Sequence, residues 1–323
     1  MTLSGLIIVR NEEESISRAI DSLSICDEIV VIDTGSEDTT IVKALSSGAT
    51  VYSCTWKDSF SEARNKGIGY CSGDIIITID ADEILSPLVS KAQVLNHFRD
   101  NSVGGLECTI LNITSQKGIF TKHTYTRVFR NIKGIRYQGN IHEQIRPSID
   151  ELGLKVITDG LEIYHYGYSA DNGRTHRNRK LLKKELDGNR DPFYLFHLAE
   201  TEFADGNLIE AQNLYNEALS QSPNSSFEGL ENSQSDQAKI RLGQIALSNG
   251  NYDTTIDTLQ FNSQHNDLEG FRKYVLAAVF MSTNRIIEAS KLYSEEIVYN
   301  SSYTDKALID RVRAELSKII NSK

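Results

Sequence analysis

Up to Asp82 the chain alternates short apolar runs with stretches whose apolar residues recur at helical spacing. Residues 6–9 are apolar and stop at Arg10, Asn11 and Glu12. Ile16, Ala19, Ile20 and Leu23 then recur three and four apart, which predicts a strand feeding a helix. Residues 28–33 repeat the strand pattern, and 34–39 carry turn and helix-start residues ahead of Ile41, Ala44 and Leu45. A third strand is predicted at 50–53 and a helix at 59–68. Residues 74–79 form a continuous apolar run, as in strands that helices cover on both faces. This alternation predicts an α/β domain with a mostly parallel sheet.

After Asp82 the pattern loosens. Residues 105–111, 125–130, 140–145 and 161–165 read as strands with polar insertions, which would cover the open side of the sheet and line an acceptor cleft. From about residue 171 the character turns helical, with a repeat of about 34 residues, the period of tetratricopeptide units. Leu198, Ala199, Ala211, Tyr215, Ala218 and Pro223 fall at packing positions of the first copy. Leu242, Gly243, Tyr252 and Leu259 fall there in the second, and Leu276, Ala277, Ala289 and Tyr293 in the third. A polar loop rich in Ser and Asn is expected at 224–237. The expected division is 1–170 for the α/β domain and 171–323 for a helical linker and repeats.

Charge narrows the function classes. Lys and Arg total 34 against 44 Asp and Glu, a formal net charge of -10, so the overall field repels nucleic acid and anionic lipid. The basic stretch 174–180 could meet an anion locally, although a run of this kind is usually a solvated helix face. Cys26, Cys54, Cys71 and Cys108 show neither a metal-ligand spacing nor a disulfide framework, which fits a reducing cytoplasm. No apolar run is long enough to cross a bilayer, and the N-terminal stretch lacks the basic region of a signal peptide.

In parallel sheets, ligands bind beyond the carboxyl ends of the strands. Here three such ends carry polar groups: Asn11 with Glu12, Asp33, and Asp80 with Asp82. Any one of them could cap a helix; three together suggest one shared ligand. Two carboxylates one residue apart after a buried strand suit Mn2+ or Mg2+, which leave coordination positions for substrate phosphates. A Gly-rich phosphate loop is missing after the first strand, where Arg10–Glu14 crowd acids together, so a nucleotidyltransferase or dinucleotide oxidoreductase is disfavoured. A non-catalytic repeat scaffold is disfavoured by the joint presence of Asp33, Arg64, Asp80 and Asp82.

The segments 7–12, 31–39, 60–66, 80–83 and 139–144, in that order, resemble family 2 glycosyltransferases of the GT-A fold. Residues 164–167 and 177–182 further resemble bacterial members with a tetratricopeptide tail, a subgroup that includes the sublancin-type peptide S-glycosyltransferases. The resemblance implies a Rossmann-like GT-A domain followed by an all-α repeat domain. It implies that Val9, Asn11, Glu12, Asp33, Arg64, Asn65, Asp80, Ala81 and Asp82 surround a UDP-sugar, with glucose or N-acetylglucosamine favoured. Asp80, Asp82 and His165 would hold the metal. For an inverting transfer the base would be Glu143 first and His142 second, at a place where many members present an Asp. The acceptor implied is a Cys or Ser side chain of a bacteriocin precursor, with a lipid or glycan as the alternative. The repeats would either recognise that acceptor or form a homodimer. On one strand Arg127 shares a face with Phe129 and Arg130 takes the opposite face, so at most one of the two arginines is expected to reach the site.

Overall fold

The computed structural model describes residues 1–113, 120–166, 173–221 and 233–321. The chain divides into two compact units, Met1–Arg174 and Thr175–Lys323. The boundary at 170/171 expected from the sequence lies outside the described residues, as does Pro223.

The first unit opens with β1 (Leu3–Val9), α1 (Ile16–Ser22), β2 (Glu28–Asp33), α2 (Thr40–Ser46), β3 (Thr50–Ser53), α3 (Phe60–Ile68) and β4 (Ile75–Asp80). It continues with β5 (Glu83–Leu85), α4 (Lys91–His97), β6 (Val103–Ile113), β7 (Phe120–Arg130), α5 (Arg146–Glu151) and β8 (Lys155–His165). One eight-stranded sheet has the order β3-β2-β1-β4-β7-β6-β8-β5. The first four strands are parallel, as the alternation of strands and helices requires, and β6 also runs parallel to β8. β7 enters antiparallel between β4 and β6, and β5 lies antiparallel to β8. The sheet is therefore mixed: parallel over the N-terminal stretch where strands and helices alternate, and mixed beyond it.

Each inner strand divides its apolar residues between two cores, because neighbouring side chains point to opposite faces. Leu3, Ile7, Val9, Val31, Ile75, Ile77 and Ile79 pack with α1 and α4 on one face. Leu6, Ile8, Val30, Ile32 and Ile76 pack with Ala63 of α3 and Ile149 of α5 on the other. All seven residues of β1 are buried. Full burial of one Leu or Ile side chain stabilises by roughly 1.5–3 kcal/mol, so these central strands anchor the loops at their ends.

The expected strand at 140–145 does not form. Gly139 and His142 both take positive φ, at 88° and 51°, which breaks an extended run; only an isolated bridge pairs Gln138 with Gln144. The chain instead folds back, and the Asn140 carbonyl accepts the Phe60 N–H at 2.8 Å, tying this loop to the start of α3.

The second unit is helical among its described residues: α6 (Arg174–Glu185, beginning in the first unit), α7 (Pro192–Ala204), α8 (Leu208–Gln221), α9 (Ser235–Ser248), α10 (Tyr252–Thr258), α11 (Asn266–Ser282), α12 (Ile286–Ser294), α13 (Glu296–Asn300) and α14 (Lys306–Asn321). α7 packs on α8, α9 on α10 and α11 on α12. Ala199, Ala211, Tyr215 and Ala218 of the first pair are buried, as are Ala277, Ala289 and Tyr293 of the third. In the middle pair Gly243 and Leu259 are buried, whereas Tyr252 is exposed. The polar loop expected at 224–237 ends earlier, since Ser235 already begins α9.

Candidate active site

The parallel order β2-β1-β4 brings the carboxyl ends of three strands side by side. Val9 and Asp33 are register partners, as are Ile8 and Asp80, so Asn11–Glu12, Asp33 and Asp80–Asp82 emerge on one edge. Asp33 is buried and accepts the N–H groups of Gly35 and Ser36 at 3.1 Å each. Asn11, at φ 53°, accepts the Glu37 N–H at 2.8 Å and donates its own N–H to Ser36 Oγ at 2.9 Å. These bonds knit the loops after β1 and β2 into one wall. Glu12 accepts from Ser15 Oγ and from Arg174 Nη2; burial, aided by the neighbouring Asp82 carboxylate, pushes its carboxyl above the ordinary range.

Beneath the third strand end lies a buried chain of charges. Arg64, on the sheet-facing side of α3, has a side chain only 4% exposed. It donates Nε to Glu143 Oε1 at 2.6 Å, Nη1 to Thr78 Oγ1 at 3.1 Å and Nη2 to Asp80 Oδ1 at 2.5 Å. Ser59 starts α3 by accepting the Glu62 N–H, which sets the turn on which Ala63, Arg64 and Gly67 face inward. Arg127 of β7 donates Nη2 to Glu83 Oε1 at 2.9 Å and lies 3.3 Å from Asp80 Oδ2. Glu83 in turn accepts the Asp80 N–H at 2.7 Å. Burial would raise the Asp80 carboxyl, but Arg64 and Arg127 hold it well below the usual carboxylate range. Glu83 has less help: burial lifts its carboxyl to about 7.

Asp82 faces away from this chain. Its Oδ2 lies 3.3 Å from His165 Nε2, and His165 Nδ1 lies 2.7 Å from Asn112 Oδ1. The Asn112 amide oxygen accepts from Nδ1 and Asp82 Oδ2 from Nε2; burial would lower the imidazole, but the Asp82 carboxylate holds it above its ordinary range. His165 ends β8 and is the register partner of both Asn112 on β6 and Glu83 on β5, so sheet pairing alone sets this meeting.

Not every sequence-predicted residue turns toward the strand ends. Asn65 donates Nδ2 to the Tyr137 carbonyl and accepts the Tyr137 N–H through Oδ1, so both ends of its amide hold the backbone that leads into the 138–144 loop. Ala81 is buried within the apolar core between the two aspartates, and Val9 supplies its carbonyl to the Thr34 N–H. His142 is held in the loop beside Glu143, and burial lowers its imidazole to about 4. Of the two strand arginines only Arg127 reaches the acids; Arg130 donates to the carbonyls of Val103, Phe98 and Asp100. Sequence reasoning missed Glu83, Asn112 and Arg174. Glu83 stands directly after Asp82 and could have been suspected, whereas Asn112 has no local signal and reaches the site only through strand pairing.

The model for glycosyl transferase family 2 matches residues 4–149. Over those residues the chain is similar to family 2 glycosyl transferases. A TPR repeat-containing protein of Synechococcus elongatus is 32% identical over 231 residues, 68% of this chain and 57% of that protein. The SPbeta prophage-derived glycosyltransferase SunS of Bacillus subtilis is 30% identical over 200 residues, 57% of this chain and 45% of that one. The chain thus spans about half the length of these relatives. Among solved structures, glucosyl-3-phosphoglycerate synthase from Mycobacterium tuberculosis, with Mn2+, UDP and phosphoglyceric acid bound, is 18% identical. It covers 57% of this chain and 77% of that one at a TM-score of 0.41. In the first unit the five sequence segments that carried the family resemblance each contribute to the strand ends or to the buried charge chain beneath them.

Among the described residues no group of three or more His, Cys, Asp or Glu side chains has the geometry to hold a metal. Asp82 and His165 nevertheless bring a carboxylate oxygen and an imidazole nitrogen within 3.3 Å of each other, and loss of the Nε2 proton would let both ligate one ion. Two protein ligands completed by substrate phosphates are a normal setting for Mg2+, and a mixed carboxylate and imidazole pair also suits Mn2+. The residues present fit such an ion bound together with a nucleotide. No helix of the described residues is long and apolar enough to cross a membrane.

Proposed function

We propose that the first unit moves a sugar, glucose or N-acetylglucosamine, from a UDP-sugar to an acceptor with inversion at the anomeric carbon. The observation that carries this reading is the convergence of Asp33, Asn11–Glu12 and Asp80–Asp82 on one edge of adjacent parallel strands, with His165 facing Asp82. The name of SunS as a glycosyltransferase supports the same reaction class.

In this reading the wall built by Asn11 and Asp33 receives the uridine, Asp80 faces the sugar, and Asp82 with His165 holds Mn2+ or Mg2+. A divalent ion there would neutralise charge building on the departing diphosphate. Arg64 does not meet the donor directly. It fixes Asp80 and Glu143 at once, and so sets the distance between the donor acids and the base. Glu143 is the preferred base: its Oε1 is anchored by Arg64, which leaves Oε2 to accept the proton as the acceptor attacks. His142 is the second choice, since an imidazole held near 4 is neutral at pH 7 and has a lone pair to offer. A peptide Cys or Ser fits as acceptor, recognised by the helical unit, and the chain would act in the cytoplasm.

Incubation of the full chain with a panel of UDP-sugars and Mn2+, followed by measurement of released UDP and by mass spectrometry of candidate peptides, tests the proposal. UDP release from at least one donor is expected, and Asp82→Ala should reduce it by about 100-fold or more. No release from any donor, or full activity in Asp82→Ala, would sink it.

A further inference from the structure

Three guanidinium groups reach the acids at the ends of β1 and β4. Those of Arg64 and Arg127 are buried, and each is held by two carboxylates: Asp80 and Glu143 for the first, Asp80 and Glu83 for the second. They are fixed parts of the floor. Arg174 is different. It is the last residue of the first unit, and its side chain is 39% exposed. It spans from Glu12 Oε1, 2.9 Å from Nη2, to Asp82 Oδ2, 3.5 Å from Nη1.

Glu12 follows β1 and Asp82 follows the neighbouring β4, so this guanidinium bridges the gap between the nucleoside wall and the Asp82–His165 pair. Asp82 Oδ2 therefore faces two nitrogens, His165 Nε2 at 3.3 Å and Arg174 Nη1 at 3.5 Å. A divalent ion bound by Asp82 and His165 would meet Arg174 at that oxygen, and like charges at such a distance repel. The repulsion favours any arrangement in which the guanidinium turns to a new anion. A diphosphate that joins a nucleoside at the wall to a sugar at Asp80 must cross this gap. Its paired oxygens match the planar fork of Arg better than they match a point charge.

We infer that Arg174 grips the donor's diphosphate, exchanging its contacts with Glu12 and Asp82 for phosphate oxygens when nucleotide and metal enter. This rests on the UDP-sugar reading above. The sequence marks the basic stretch 174–180 as one that could meet an anion, but it does not single out Arg174 from the rest of the run.

The test uses the full chain and its Arg174→Gln and Arg174→Lys variants with saturating Mn2+. UDP is titrated by calorimetry and uridine by ligand-observed NMR. Arg174→Gln should weaken UDP by about tenfold or more and leave uridine unchanged, with Arg174→Lys in between. Unchanged UDP affinity in Arg174→Gln overturns the inference. So does an equal loss for UDP and uridine, because that result makes Arg174 a brace for Glu12. If the wild-type chain binds uridine and UDP equally poorly, the proposed function itself fails, and this inference falls with it.

Discussion

Arg64 is the residue on which most of the site converges. Three of its nitrogens are engaged by Glu143, Thr78 and Asp80, and its guanidinium lies 5.4 Å from the centre of the Tyr137 ring. Removing one partner of a buried charge cluster strands the others, which costs about 3–5 kcal/mol. Arg64→Ala should therefore lower stability by that amount in urea unfolding, and Arg64→Lys, which lacks the planar fork, should recover only part of it. His142 supports a prediction on pH. Its imidazole titrates near 4 when folded against about 6.5 in an unfolded chain. The unfolded state therefore binds the proton first. Stability from this residue is complete above pH 6.5 and is lost as pH falls toward 4. His142→Asn keeps a residue tolerant of the positive φ and should flatten the melting temperature between those two pH values.

At the scale of elements, the approach of α3 to the sheet decides where Arg64 points. A Cβ on Gly67 would lie 2.5 Å from Leu6 Cδ1 and 2.9 Å from Ile32 Cγ1, so the helix rests directly on β1 and β2. Gly67→Ala should destabilise the domain by about 1–3 kcal/mol in chemical denaturation. Because α3 carries Arg64, the variant should also weaken UDP binding, although Gly67 touches no strand end. In the helical unit the Tyr215 hydroxyl donates to Glu200, which also accepts from Gln237 and Arg241. Tyr215→Phe should cost about 1–2 kcal/mol, read as a lower melting temperature of that unit. The elements also show where periodicity misleads. Residues 140–145 read as a strand with polar insertions, yet positive φ at Gly139 just before them and at His142 within them makes a loop. That loop presents Glu143 to Arg64; an extended run there would not.

At the scale of the whole molecule, each unit has its own apolar clusters. The first is built on the sheet and the second around residues such as Leu259, Phe271, Tyr293 and Ile309. A ligand that binds only the folded strand ends should therefore stabilise the unit that contains them. Hydrogen exchange with and without UDP and Mn2+ should show added protection in the loops after β1, β2 and β4. The 175–323 peptides should be unchanged. Protection confined to the helical peptides would contradict the assignment of the donor site.

The amino-acid sequence by itself determined the parallel strands, the polar groups at their ends and the helical character after residue 171. These are written in local periodicity and in the residue types that end each apolar run, and both depend only on neighbours in the chain. Tertiary structure alone decided which of those groups work as partners. Glu83 with Arg127, Arg64 with Glu143 and His165 with Asn112 are joined by strand pairing and helix packing across 44, 79 and 53 positions. No local pattern encodes such distances. Asp80 and Asp82 begin as an equivalent pair in the sequence and are separated only by the fold. Asp80 is the last residue of β4 and meets buried arginines, whereas Asp82 lies in the turn that follows and meets an imidazole.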